Sequence, residues 1–377
     1  MNILITGGAG FIGSNLALRL LELGHAVTVL DVLSPQIHGE DPHSSSPLFL
    51  SIKDKVRFVE GSVCDAATWE DVLPEQECIV HLAAETGTGQ SMYEIKKYID
   101  VNVGGTALML DILANSKHSI KKVVVASSRS IYGEGKYQSK ALGVVYPEQR
   151  HDADMKSGQF DPLCPATGEV LDLLPTDEDS KIHPSSVYGI TKQNQEQMVM
   201  TVCRSLGIGA SALRYQNVYG PGQSLSNPYT GILSIFSTRI KNSNGISIFE
   251  DGKESRDFVF IDDIVDATVL AITKDEANDQ VFGVGSGVAT DVLTVAQLLI
   301  ENYKVNVPIS VTGAYRIGDI RHNYADLTKI KTMLGFAPKV DFAAGIKRFV
   351  DWVNTQEVQK DAYEQSIQEM KERGLFK

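Results

Sequence analysis

The chain has 377 residues, 43% of them hydrophobic, which is long for one small domain and enough for a sizeable core. Acidic residues outnumber basic ones by 47 to 35, and the formal charge of −12 argues against general binding to nucleic acid or anionic membrane. No apolar run nears the roughly 20 residues that span a bilayer, and the opening MNILITGG lacks the basic and long apolar parts of a secretory signal.

In chain order, NILITG (2–7), AVTVLD (26–31), VRFVEG (56–61), CIVHLAA (78–84) and KKVVVASS (121–128) read as strands. They are nearly continuous apolar runs, as expected where helices cover both faces of a sheet. GSNLALRLLELG (13–24) reads as a helix ending at Gly24. The alternation predicts an α/β fold with a Rossmann-type, doubly wound parallel sheet. SALRYQNVYG (211–220) adds a sixth strand. Residues 137–183 are polar and dotted with Pro, Gly and acids, too long for an ordinary connection. They read as an insertion, a lid or an oligomer contact. From about 215 the pattern loosens. The expected division is a dinucleotide domain over 1–214, rejoined by part of 256–284, and a mainly substrate-binding region over 215–377. YEQSIQEMKERG (363–374) reads as a charged helix with a solvated surface. Cys64, Cys78, Cys164 and Cys203 are scattered without a CxxC, so neither a disulfide framework nor a metal site is expected, and a reducing cytoplasm is the simplest setting.

Gly7, Gly10 and Gly13 follow the first strand in GxxGxxG spacing. Such a turn lets backbone approach a pyrophosphate, whose charge meets the N–H groups of the next helix. Taken alone the motif equally describes a tight turn without a ligand. The strand, the helix and a second strand ending at Asp31 complete the dinucleotide context. Asp31 suits a ribose diol and would repel a 2′-phosphate, favouring NAD over NADP.

Two Tyr-Lys pairs have i,i+4 spacing: Tyr132 with Lys136, and Tyr188 with Lys192. The first lies in YGEGK, where two glycines disfavour a helix. The second opens a helical run, where i and i+4 share a face. A phenol with a pKa near ~10 needs a neighbouring cation to act as a base at neutral pH, and Lys192 is placed to supply it.

These motifs, with HLAA (81–84), NVGGT (102–106), SSRSIYG (127–133), RYQNVYGPG (214–222), RDFVFIDD (256–263) and RIGDIRHNYAD (316–326), resemble the extended short-chain dehydrogenase/reductase family, in particular its NAD-dependent nucleotide-sugar epimerases and dehydratases. The resemblance implies catalytic roles for Ser128, Tyr188 and Lys192, with Ser128 preferred over Ser127. It implies cofactor contacts from Gly7, Gly10, Phe11, Ile12, Gly13, Asp31, Ser62, Val63, Leu82, Ala83, Ala84, Asn102, Tyr188, Lys192, Tyr215 and Val218. Thr86, Gln90, Ser128, Arg129, Asn217, Arg256, Arg316 and Asp319 would meet the nucleotide-diphosphate sugar, the arginines through forked donors suited to phosphate. Asp319 would bond the ribose or brace Arg316.

Family dehydratases carry Asp-Glu after the catalytic Ser or Thr; here Arg129 and Ser130 stand there, which disfavours dehydration. Asp31 argues against an NADPH-consuming reductase. A 4-epimerase using NAD catalytically remains. SSRSIYGEGKY, the insertion and RYQNVYGPGQSLSNPYTGILSIFS resemble the branch that converts dTDP-L-rhamnose to dTDP-6-deoxy-L-talose. UDP-hexose or UDP-hexuronate 4-epimerases are the nearest rivals, 4-keto-6-deoxy sugar-nucleotide reductases the next. A non-catalytic NAD-binding regulator would have no need of Ser, Tyr and Lys together. The family also implies a homodimer through a four-helix bundle, here stretches 93–115 and 187–206.

Overall fold

The computed structural model describes residues 1–225, 227 and 231–377. The apolar runs form a seven-stranded sheet: β1 (Asn2–Thr6), β2 (Ala26–Asp31), β3 (Arg57–Glu60), β4 (Cys78–His81), β5 (Lys122–Ser128), β6 (Gly209–Tyr215) and β7 (Gln280–Val284). The order is β7-β6-β5-β4-β1-β2-β3 and every pairing is parallel. Alternate side chains enter different cores. Ile3 and Ile5 pack with α1 (Phe11–Glu22), whereas Leu4 packs with α2 (Gly105–Asn115) and α3 (Val187–Leu206). Both faces are covered, which is why β1 reads as one unbroken apolar run. The strand order turns at β1 and β4, so their C-terminal ends open a crevice, the usual ligand position in such sheets. β7 comes from the far part of the chain, after α4 (Ile261–Thr273) packs against α1.

The expected helix after β1 begins and ends two residues early, with Gly24 just beyond it at φ +81°. Residues 95–115 run as one helical stretch whose middle, Ile99–Gly104, is a π-helix. α3 covers 187–206 as expected; the Ser186 side chain caps it by accepting from Gly189 N–H, and Gly207 closes it in the left-handed conformation. The expected sixth strand is two. β6 stops at Tyr215, Gln216 N–H donates to Val284 O at 2.9 Å, and Asn217–Tyr219 leaves the sheet to pair in parallel with Phe258–Phe260. Residues 226 and 228–230 of the motif that follows lie outside the described residues.

The insertion folds as a three-stranded antiparallel sheet, Tyr137–Ser139, Gly143–Val145 and Asp172–Leu173, over a small core of Tyr137, Cys164 and Leu171. The helix Tyr363–Glu372 is docked rather than solvated all round. Ser366, Ile367 and Met370 are buried, Arg239 stacks on Tyr363 at 4.2 Å, and Arg373 stacks on Tyr93 at 4.0 Å. Among the described residues no helix is long and apolar enough to cross a membrane.

Candidate active site

A cleft of about 380 Å³ lies at the C-terminal ends of β1, β2, β4, β5 and β6. Its floor is the glycine turn. Gly7 has φ +67°, and a Cβ there would sit 2.8 Å from Ala83 N. A Cβ on Gly13 would lie 2.5 Å from both Gly7 O and Gly8 Cα. Backbone meets backbone here, and only glycine permits it. α1 starts with no side-chain cap and no acidic residue, so the N–H groups of Phe11, Ile12 and Gly13 at the cleft end have no acceptor among the described residues. Asp31, at the end of β2, lines the cleft. Its carboxylate accepts from Ala9 N–H at 3.0 Å and Leu33 N–H at 2.9 Å. Burial raises its pKa; those backbone donors and His38, 3.9 Å away, oppose the rise.

Val63, Leu82, Ala83, Ala84, Thr86, Tyr215 and Val218 also line the cleft, as expected. Two expected cofactor residues do not. Ser62 uses its hydroxyl to accept from Cys64 N–H. Asn102 is fully buried; it accepts from Glu85 N–H at 2.7 Å and donates to Glu85 O and Thr191 Oγ1. It braces the cleft wall from behind. Gln36, His38 and Leu48 line the cleft and had no motif to announce them, beyond following Asp31 directly.

Ser128 ends β5 and caps the short 3-10 turn Arg129–Tyr132, accepting from Ser130 N–H at 3.2 Å and Ser130 Oγ at 2.8 Å. Ser127 is committed elsewhere: its hydroxyl donates to Glu196 at 2.5 Å, and Glu196 pairs with buried Arg214 at 2.6 Å. Tyr188 reaches the cleft from the first turn of α3, its backbone held by Ser91 Oγ at 3.0 Å. Burial raises its phenol pKa, and the Ser128 hydroxyl and the charge of Arg129 oppose that rise. Lys192 lines the cleft one turn on, but its ammonium donates to Gln195 Oε1 at 2.7 Å. The cation acting on the phenol in this structure is therefore Arg129, where Lys192 was expected. Burial lowers Lys192 to a pKa of about 7, with Glu196 opposing. Gln195 also donates to Thr106 Oγ1 at 2.9 Å, which holds its oxygen on the lysine. The other Tyr-Lys pair is taken apart: Tyr132 accepts from Arg214 at 2.6 Å, while Lys136 pairs with Asp177.

The expected substrate residues divide. Thr86 lines the cleft. Gln90 is closed off by reciprocal bonds with Gln36 at 3.1 and 3.2 Å. Arg129 donates through Nε to Asn217 Oδ1 at 3.2 Å. Arg256 donates to the carbonyls of Ser255, Ile320 and Arg321, which occupies three of its five N–H groups. Arg316 pairs with Asp319 at 2.7 Å and lies over the Phe249 ring, so Asp319 does brace it. Among the described residues Arg129 and Arg256 have no carboxylate within 4.0 Å, and the charge of Arg256 adds to burial in lowering Arg129 to about 9. Two part-buried, mutually repelling cations, of which Arg129 acts on the Tyr188 phenol, make a place for an anion. No cluster of three metal-ligating residues occurs among the described residues.

A doubly wound sheet, a glycine turn and a Ser-Tyr pair at the cleft end define a dinucleotide-dependent enzyme. The NAD dependent epimerase/dehydratase family model matches residues 3–152 and 164–285, and the chain belongs to that family. A dTDP-L-rhamnose 4-epimerase of Burkholderia thailandensis is 38% identical over 354 residues, 93% of this chain and 94% of that protein. A UDP-glucose 4-epimerase of Mycolicibacterium smegmatis is 32% identical, over 93% of this chain and 98% of its own length. The solved UDP-glucose 4-epimerase of Thermotoga maritima, with UDP-glucose, superposes with a TM-score of 0.74 at 30% identity, covering 94% of this chain and 99% of that one. The protein is an isomerase of the nucleotide-sugar epimerase kind and its cofactor is NAD. The glycine turn, the acceptor-free N–H groups of α1 and the Asp31 carboxylate fit a dinucleotide.

Proposed function

We propose that the protein is a dTDP-L-rhamnose 4-epimerase that yields dTDP-6-deoxy-L-talose. The observation that carries the reaction type is the meeting of Ser128 and Tyr188 at one end of the cofactor cleft, with the charge of Arg129 acting on the phenol. Tyr188 takes the proton of the sugar C4 hydroxyl and later returns it. The Ser128 hydroxyl, held in place by Ser130, shares that proton. NAD, held by the glycine turn and Asp31, would supply the hydride acceptor and donor for C4 that no side chain can provide. Between these events the 4-keto sugar presents its other face, so there is no net redox change. Arg129 stabilises the phenolate, and Lys192 bonds the nicotinamide ribose. Arg256, with two N–H groups to spare, and Arg316 hold the diphosphate. Arg129 and Ser130 have no carboxylate to remove water, which separates this site from a dehydratase. The choice of sugar rests on the B. thailandensis relative being more similar than the two UDP-glucose epimerases.

Ile95, Ile99 and Ile190 are exposed on the helices of 95–115 and 187–206, which supports a homodimer through a four-helix bundle. Four unpaired cysteines suit the cytoplasm. The deciding experiment uses the protein as purified, without added cofactor. It is incubated separately with dTDP-L-rhamnose, UDP-glucose, UDP-galactose and UDP-glucuronate, and the anomeric and H4 signals are followed by NMR. The expected result is a new 4-epimer from dTDP-L-rhamnose without stoichiometric NADH. Turnover of a UDP-sugar alone would overturn the choice of substrate. No turnover with any sugar, even after NAD is added, would overturn the whole reading.

A further inference from the structure

The loop 316–321 carries Arg316 and Asp319, and it is gripped through its carbonyls. Arg256 holds those of Ile320 at 2.7 Å and Arg321 at 2.9 Å. The carbonyl of Asp319 is held by a residue from the insertion: Arg150 Nη2 donates to it at 2.8 Å. Arg150 is itself held through its two terminal nitrogens. Its Nη2 lies 2.8 Å from Glu250 Oε1, its Nε 3.2 Å from Glu134 Oε1, and its Nη1 donates to Phe160 O at 3.0 Å. Glu134 also accepts from the backbone N–H of Arg321 at 2.8 Å, and Glu250 pairs with Arg321 at 2.8 Å. Asp161 completes the frame on Arg321 at 2.8 Å. Phe160 and Asp161 lie in 153–163, the stretch the family model skips. The side chain of Arg150 is 5% exposed, so it is out of reach of a ligand.

We propose that Arg150 is a positioning residue through which the insertion sets the conformation of loop 316–321 and so the affinity for the nucleoside diphosphate of the substrate. A planar fork with five donors can hold Glu250, Phe160 O and Asp319 O together; an ammonium cannot reach all three. The loop then presents Arg316, and the two carbonyls on Arg256 aim that guanidinium. The insertion acts as a buttress and needs no lid movement to matter. This rests on Arg256 and Arg316 being the diphosphate ligands.

The test is a double-mutant cycle on the full chain with NAD bound, titrated calorimetrically with dTDP and with UDP. Arg150→Met and Arg316→Ala should each weaken the better nucleotide about tenfold, and the double variant should lie within about twofold of Arg316→Ala. Arg150→Lys keeps a charge between Glu134 and Glu250 but loses the carbonyl bond. It serves as the second variant if Arg150→Met fails to fold, and should show the same weakening with the NAD content unchanged. Wild-type affinity in Arg150→Lys, or losses that multiply in the double variant, would overturn the proposal. A wild-type protein that binds neither dTDP nor UDP would overturn it together with the functional reading.

Discussion

At the cofactor end of the cleft the walls are backbone. Gly7 and Gly13 bring main chain against main chain, α1 offers N–H groups, and the Asp31 carboxylate is fixed by two backbone donors. At the substrate end the expected cations are long charged side chains, and Arg129, Arg256 and Arg316 stand outside the set of residues that line the cleft. Arg129, Arg256 and Arg316 are held by an amide, by carbonyls and by Asp319. The first end is specified by what must be absent, a Cβ. The second is specified by side-chain partners, remote in the chain for Arg129 and Arg256 and three residues away for Arg316. Backbone walls cannot be retuned without strain, whereas side chains can change with their supports. The cofactor end thus suits a shared ligand and the substrate end a variable one.

The comparison breaks most sharply where the two ends meet. Tyr188→Phe should lower kcat by about 10²–10⁴-fold, the usual worth of a positioned acid–base group, while NAD released on denaturation stays equal to wild type. Loss of NAD as well would show that the phenol belongs to the cofactor end. Arg256→Met should raise KM for the nucleotide sugar about 10–100-fold, as expected for a hydrogen bond to a charged group worth about 1.5–3 kcal/mol. NAD content should again hold, and an unmoved KM would remove Arg256 from the substrate end. Gly13→Ala should do the reverse. A methyl 2.5 Å from two backbone atoms forces the turn apart at about 1–3 kcal/mol, so NAD content should fall while dTDP binding changes little; full NAD content would show that the turn can yield.

The smallest expected effect is a pH slope. Lys192 has a pKa of about 7 in the folded chain against 10.5 for a free lysine. Between those values the unfolded chain holds the proton and the folded chain does not. The contribution to stability is therefore complete above 10.5 and lost as pH falls to about 7. Lys192→Met should remove a rise of up to about 1.4 kcal/mol per pH unit in that window. Urea titrations of cofactor-free protein at about pH 7, 8.5 and 10 would show it; identical slopes in the two proteins would mean that the ammonium stays charged.

What could be read from the sequence follows the same division. β1, β2, β4 and β5 are largely apolar runs whose burial on both faces needs no knowledge of the partner, and the glycine turn is a local steric statement. Ser128 and Tyr188 stood in motifs and meet in the cleft. Most misreadings involve distant partners, although Ser62 is engaged by Cys64 only two residues on. SALRYQNVYG reads as one strand, and Phe258–Phe260, some forty residues later, draws its end out of the sheet. Gln90 is closed by Gln36, and Asn102 by Glu85 and Thr191. Lys192 turned to Gln195 because Thr106 fixes that amide. The insertion stayed opaque because Arg150 has meaning only beside Glu134, Glu250 and Asp319.

The π-helical turn at Ile99–Gly104 carries one residue more per turn than its neighbours need. That surplus is a phase shifter. It lets Asn102 face Glu85 and Thr191 while α2 keeps Met109 and Leu113 on the sheet. Deleting Val103 would restore an ordinary α-helix and rotate everything before it by about 100°. The helix would gain regularity, and the carboxamide would swing off the cleft wall. A chain shorter by one residue would then keep its sheet and lose the alignment of Glu85, an unusual case in which a smoother helix makes a poorer enzyme.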